Sequence, residues 1–193
     1  MNSMCPIVWV HLGSNSIPRY ISVSLQNQKK LFPDLEFVLL VNQKLKDNLK
    51  IPGLKIVQVP SMDEDWLEIK ESLGHDLSFR KEFWFNSLAR FKAIFDYMKM
   101  ENVEKVIHIE SDVTILPNFP FRQLVEIQER LGYSIQGIGQ GIASVFYVGS
   151  LGALQKFLEF CQEEVRRNQW STDMTILYNF ASLFPRSVEI LPT

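Results

Sequence analysis

Only two cysteines occur in the chain, Cys5 and Cys161, and neither belongs to a C-x-x-C pair. That excludes a disulfide-stapled scaffold and a structural zinc site of the usual spacing, so two reduced, buried thiols are expected. No run of like charges and no basic stretch is present, and the formal net charge is -2, so nothing marks a nucleic-acid-binding surface. No apolar segment approaches the roughly 20 residues of a membrane span. The N-terminal Met1-Asn2-Ser3-Met4-Cys5-Pro6 lacks the basic start and apolar length of a secretion signal. A soluble, cytoplasmic protein without a transmembrane segment is expected, with peripheral contact to a membrane left open. Internal repeats, low-complexity tracts and obvious linkers are also missing. With 46% hydrophobic residues, the 193-residue chain has material for one domain with a substantial core.

What is present alternates between two periodicities. Residues 7–12 (Ile-Val-Trp-Val-His-Leu) read as a buried strand ended by Gly13-Ser14-Asn15-Ser16. Pro18 suits the start of a helix with Ile21, Leu25 and Leu31 on its apolar face. Residues 36–41, closed by Asn42, and 54–59, stopped by Pro60, predict two more strands, and 63–73 a short helix. Trp84, Leu88, Phe91, Phe95 and Met98 recur at helical spacing across 82–100. A strand at Val106 follows, then a helix over 120–131, strands over 133–138 and 143–148 around Gly139-Gln140-Gly141, a helix over 150–167 and a last one starting near Asp173. This order implies an α/β fold, a three-layer α/β/α sandwich on a mixed, mainly parallel sheet. Ligands of such sheets gather outside the carboxyl ends of the strands, where His11 to Asn15, Asn42 and the end of the Val106 strand would lie.

The densest chemistry is in Val106-Ile107-His108-Ile109-Glu110-Ser111-Asp112-Val113. Strand alternation places His108, Glu110 and Asp112 on one face, so a buried strand would run into two carboxylates pointing the same way. Two such acids suit Mn2+ or Mg2+, hard ions that take one or two carboxylates and complete their shell with water and phosphates. The same triplet also suits a turn, with Asp112 organising the loop towards Pro117.

The order of parts resembles that of the GT-A type glycosyltransferases, the nucleotide-diphospho-sugar transferase superfamily. Three stretches carry the likeness: the strand–helix–strand from Val8 to Val41; Ser87-Leu88-Ala89-Arg90-Phe91-Lys92 leading to the Glu110-Ser111-Asp112 strand; and Gly141 to Val148 with Ser171-Thr172-Asp173-Met174-Thr175. The resemblance implies a metal-dependent, hexosyltransferase-type enzyme that moves a sugar from a nucleotide-diphosphate sugar, expected to be a UDP-sugar, to a hydroxyl acceptor on a glycan, lipid or protein. Asp112 would bind Mn2+ or Mg2+ directly, and Glu110 would bind it through water or hold the ribose. Arg90 would lie near the diphosphate or the sugar. His11, Gly13, Ser14, Asn15, Asn42 and Ser111 would border the nucleotide, and Asp173 would be the acceptor-side acid. The nucleotide-binding part would cover about 1–113 and the acceptor side about 114–193, in a compact or C-terminally truncated version of the fold.

Plainer readings stand beside these. Arg90 can be a solvated or salt-bridged helix residue, Asp173 a helix cap, His11 and His108 satisfied strand histidines, and Trp84, Phe85, Phe91 and Phe95 core rather than a sugar-stacking platform. A non-catalytic nucleotide-sugar-binding module of the same fold is the alternative from a different class. A sugar-nucleotide nucleotidyltransferase ranks lower, since Gly13-Ser14-Asn15-Ser16-Ile17-Pro18-Arg19 is a poor phosphate loop. Glu110 argues against an aspartyl-nucleophile phosphatase, which needs Asp at that position.

Overall fold

Every residue of Phe37–Val41 is buried, and so are the first three of Ile7–His11. Strands apolar on both faces need a layer of helices above and below them, and the computed structural model, which describes residues 5–46, 49–80 and 82–192, supplies both. In chain order the elements are β1 (Ile7–His11), α1 (Arg19–Leu31), β2 (Phe37–Val41), β3 (Leu54–Gln58), α2 (Glu64–Ser72), α3 (Phe83–Glu101), β4 (Val106–Ile109), α4 (Phe121–Glu126), β5 (Leu131–Gly137), β6 (Gln140–Val148), α5 (Leu151–Arg167), α6 (Asp173–Leu183) and β7 (Val188–Leu191). The strands form one seven-stranded sheet in the order β3-β2-β1-β4-β6-β5-β7, with β6 antiparallel to both of its neighbours.

Strand alternation splits the core in two. Val8, Val38, Leu40, Val106, Tyr133 and Phe146 pack against α2, α3, α5 and α6 on one face. Ile7, Trp9, Phe37, Leu39, Ile107 and Tyr147 pack against α1 and α4 on the other. This is the expected three-layer α/β/α sandwich on a mixed, mainly parallel sheet. His108 follows the parity of Val106 and faces α3; its Nδ1 lies 3.0 Å from the Val8 carbonyl. Burial and the charge of Arg90 push the imidazole down to about 3, so it stays neutral at physiological pH.

Several boundaries differ from expectation. The helix over 120–131 shrinks to Phe121–Glu126, because Leu131 is needed in the sheet, where it pairs with both Val148 and Val188. Gln140 and Gly141 belong to β6, so the hairpin turn sits earlier, at Ile138-Gly139, with Gly139 at φ 74°. Leu31 is half exposed and takes no part in the apolar face of α1. β7, which the sequence reading lacks, completes the edge of the sheet beside β5. No helix among the described residues is long and apolar enough to cross a membrane.

Candidate active site

The strand order reverses between β1 and β4: β1 leads on to β2 on one side and pairs with β4 on the other. Ligands of open α/β sheets bind at such a point, outside the carboxyl ends of the strands. On the β1 side, Gly13, Ser14 and Asn15 share a cavity of about 770 Å³ with Asn42, Lys70, Glu82, Phe85 and Asn86. Gly13 has φ 73°, a conformation that a side chain strains, and its N–H donates to Asn42 Oδ1 at 3.1 Å. That bond ties the loops after β1 and β2 into one rim. His11 is less engaged with the cavity: its Nε2 lies 3.1 Å from the Ser16 carbonyl, so the ring closes the loop on itself.

On the β4 side the ladder runs one residue past the strand, the Glu110 N–H donating to the Ser144 carbonyl at 3.1 Å. Glu110 therefore keeps the parity of Val106 and His108 and reaches α3. There Arg90 Nη1 donates to Glu110 Oε1, while Ser144 Oγ donates to Oε2 at 3.2 Å. The other arm of the same guanidinium, Nη2, donates to Asp173 Oδ2 at 2.5 Å. Arg90 and Asp173 keep only 12% and 14% of their side-chain surface, so this bridge is largely withdrawn from water. Arg90 Nε is buried without a hydrogen-bond partner among the described residues, which leaves one guanidinium donor unspent.

Asp173 is not the cap of α6. Thr172 takes that place in a reciprocal capping box with Thr175, which frees the Asp173 carboxylate for Arg90 while keeping its charge in the first turn, where the helix dipole favours it. Its carboxyl is nevertheless pushed above the ordinary range: burial has the largest effect, Arg90 opposes it, and the charge of Glu110 adds to it. A carboxyl raised towards neutrality is a better proton acceptor than an ordinary one.

The expectation that Glu110 and Asp112 share a face is corrected. The chain turns immediately after Glu110, with the Val113 N–H donating back to the Glu110 carbonyl at 3.1 Å, so alternation ends there. Asp112 stands on this turn, exposed and without a hydrogen bond or ion pair among the described residues, and Ser111 beside it is half-buried. The turn reading of the triplet therefore holds for Ser111 and Asp112, while Glu110 still belongs to the β4 ladder. No group of three His, Cys, Asp or Glu side chains among the described residues is disposed to cage an ion. The donor set still fits a hard divalent cation of the kind held by one or two carboxylates plus phosphate oxygens. Asp112 is the uncommitted carboxylate, Glu110 is already held by Arg90 and Ser144, and three carboxylates against one guanidinium leave this rim net negative.

Sequence reasoning missed Ser144, which stands opposite Glu110 only because β6 pairs with β4, and Asn86, which lines the cavity one helical turn before Arg90. The i, i+4 spacing of Asn86 and Arg90 on α3 was the available signal. A wider groove of about 1300 Å³, lined by Lys99, Lys105, Arg130 and Lys156 among others, lies at the opposite end of β4 and contains none of the expected residues.

No family model matches the chain, and no curated protein does. Solved structures do. A galactosyltransferase, LgtC, in complex with donor and acceptor sugar analogues shares 15% identity, with 95% of this chain and 72% of that one covered and a TM-score of 0.57. Core-mannan synthase A from Aspergillus fumigatus, in a Mn/GDP form, shares 10%, covering 96% and 72%, with a TM-score of 0.61. A cytidylyltransferase from Leptospira borgpetersenii serovar Hardjo-bovis shares 11%, covering 100% and 77%, with a TM-score of 0.56. At such identities the likeness concerns the fold: the chain has the mixed α/β sheet of the GT-A glycosyltransferases.

Proposed function

We propose that this chain is a glycosyltransferase that uses a nucleotide-diphosphate sugar, with a UDP-sugar as the first donor to test. The observation that carries the reading is the Glu110–Arg90–Asp173 bridge at the end of β4, one turn of α3 beyond a cavity built by the loops after β1 and β2. In this reading the nucleoside lies against Gly13, Ser14, Asn15 and Asn42, and the diphosphate is directed to the turn that carries Ser111 and Asp112. Mn2+ or Mg2+, when bound, would neutralise the diphosphate as it leaves, with Asp112 as its protein ligand and Glu110 behind it. Arg90 would add a permanent cation near the diphosphate or the sugar. In a direct displacement, the acceptor oxygen bonds to the anomeric carbon while the bond from that carbon to the phosphate oxygen breaks. The diphosphate keeps the electron pair, and Asp173 takes the acceptor's proton.

The test is calorimetric titration of UDP, then GDP, into the protein with Mn2+ and again with EDTA. Metal-dependent binding of one nucleotide supports the donor site; no binding under any condition sinks it. Turnover separates an enzyme from a binding module. Release of nucleoside diphosphate from the sugar nucleotide indicates transfer, whereas pyrophosphate release from a nucleoside triphosphate and a sugar phosphate would indicate a nucleotidyltransferase. Asp173→Asn is expected to lower kcat by about 100-fold or more and to leave nucleotide affinity unchanged. A kcat within a few-fold of the parent enzyme would remove Asp173 from the proton-transfer role.

A further inference from the structure

The aromatic side chains at the start of α3 do not all join the core. Phe85 and Phe91 are buried, but Phe79 and Phe83 are 42% and 40% exposed, and Trp170, just before α6, is 58% exposed. The half-buried Trp84 and His75 connect them into one run of rings. Phe79 stacks on Trp84 with centroids 6.2 Å apart, Phe83 meets Trp84 edge-on at 5.2 Å, His75 stacks on Trp84 at 4.8 Å, and Trp170 meets His75 edge-on at 5.5 Å.

This run is built rather than accidental. His75 Nε2 lies 3.0 Å from the Trp170 carbonyl and 3.3 Å from that of Ser171, which fixes the loop that delivers Asp173. The Gly74 N–H donates to the Gln169 carbonyl at 2.8 Å, and a Cβ on Gly74 would stand 3.0 Å from Trp170 Cε2, so the indole approaches closely because residue 74 is glycine. The chain connects the platform to the proposed catalytic cluster at two points. Trp170 is three residues before Asp173, and Phe83 lies seven residues before Arg90 on the same face of α3, a separation of roughly 10 Å along the axis.

Resting on the glycosyltransferase reading above, we infer that this aromatic run is the acceptor subsite and that the acceptor is a saccharide, its pyranose rings stacked on Trp170 and the Phe79–Phe83–Trp84 group with a hydroxyl directed to Asp173. A pyranose presents a C–H face, weakly positive at the hydrogens, to the negative face of an aromatic ring, while its hydroxyls reach the surrounding polar groups. Area separates this occupant from a protein partner. Taking ~200 Å² per large ring, the exposed fractions of Phe79, Phe83 and Trp170 amount to on the order of 300 Å². A stable protein interface needs about 800 Å² on each side, whereas one or two sugar rings cover a patch of the smaller size. The span from the platform to Arg90 is also one that a di- or trisaccharide bridges.

Saturation-transfer NMR with free lactose, maltose, cellobiose and mannobiose tests this, run beside UDP titration on the same samples. The expected result is transfer to at least one disaccharide, with affinity graded from the parent through Trp170→Phe to Trp170→Ala, at least tenfold overall, while UDP binding and melting temperature hold. Phe83→Ala should weaken the same sugar, and Tyr20→Ala, on the opposite face of the sheet, should not. Nucleotide binding with no sugar contact, or sugar contact indifferent to residues 170 and 83, overturns the saccharide acceptor and leaves the donor site standing. Ring-dependent sugar binding without any nucleotide binding overturns the transferase reading, and with it the acceptor role, while the sugar platform itself stands.

Discussion

Arg90→Met is expected to be the most destabilising single substitution in the site, by about 3–5 kcal/mol at neutral pH, the range for removing one partner of a buried ion pair. The guanidinium is the cation that links Glu110 to Asp173, and both carboxylates are largely buried, with 28% and 14% of their side-chain surface exposed. Ser144 can hold one oxygen of Glu110 but brings no charge. Methionine of similar length fills the volume, so the loss is electrostatic rather than a cavity. The loss depends on pH in a direction that can be worked out. Asp173 already has a folded-state pKa above its unfolded one, and Arg90 is the influence that restrains the rise. Without Arg90 it rises further, so the penalty is complete above the folded pKa and lifts as pH falls through it, when the carboxyl becomes neutral. His108 acts in the same sense: part of its depressed pKa comes from the charge of Arg90, and removing that charge eases its protonation in acid. The gap in melting temperature between parent and variant should therefore narrow from pH 7 down towards the ordinary carboxylate range. A gap that is constant with pH would assign the loss to packing and dissolve the electrostatic account.

That three residues spread over 83 positions meet in one bridge was legible only in part. α3 and the strands through β4 follow from strong periodicity; strand alternation singled out Glu110, and the resemblance added Arg90 and Asp173. What brings them together is long-range: β6 pairing with β4 aligns Ser144 with Glu110, and a threonine capping box releases Asp173 from the cap position. The face expected to hold both acids required the β4 ladder to continue, and a ladder's extent depends on its partner strand rather than on its own residues. Trp84 was misread for a related reason. Its helical spacing to Leu88 and Phe91 is that of a core position, but it sits in the first turn of α3, where its neighbours are Phe79 and His75 instead of the sheet. The His75–Trp170 contact joins residues 95 apart, which no local spacing encodes. β7 was missed because four residues preceded by a 3-10 turn carry too little pattern to tell a strand from a loop.

The proposed division of labour between the two acids after β4 gives the second large expected effect. Asp112→Asn is expected to reduce Mn2+-dependent nucleotide binding by on the order of 100-fold, since even residues that only support a metal ligand alter affinity by 10–100-fold. The same variant should bind nucleotide in EDTA as the parent does. Its apo melting temperature should be unchanged or slightly raised: Asp112 is exposed and partnerless among the described residues, and losing its charge relieves repulsion on a rim that already holds Glu110 and Asp173. Glu110→Gln should behave in the opposite way. It frees one arm of Arg90, so stability falls by about 1–3 kcal/mol, the cost of a buried group that loses a charged partner. Metal-dependent binding then suffers less than in Asp112→Asn. The pair of variants read together is more discriminating than either alone, because a carboxylate committed to an arginine and a carboxylate held free for a cation respond oppositely in the two measurements. A stable Glu110→Gln that loses metal dependence, beside an unstable Asp112→Asn that keeps it, would exchange the two roles and return Asp112 to the status of a turn residue.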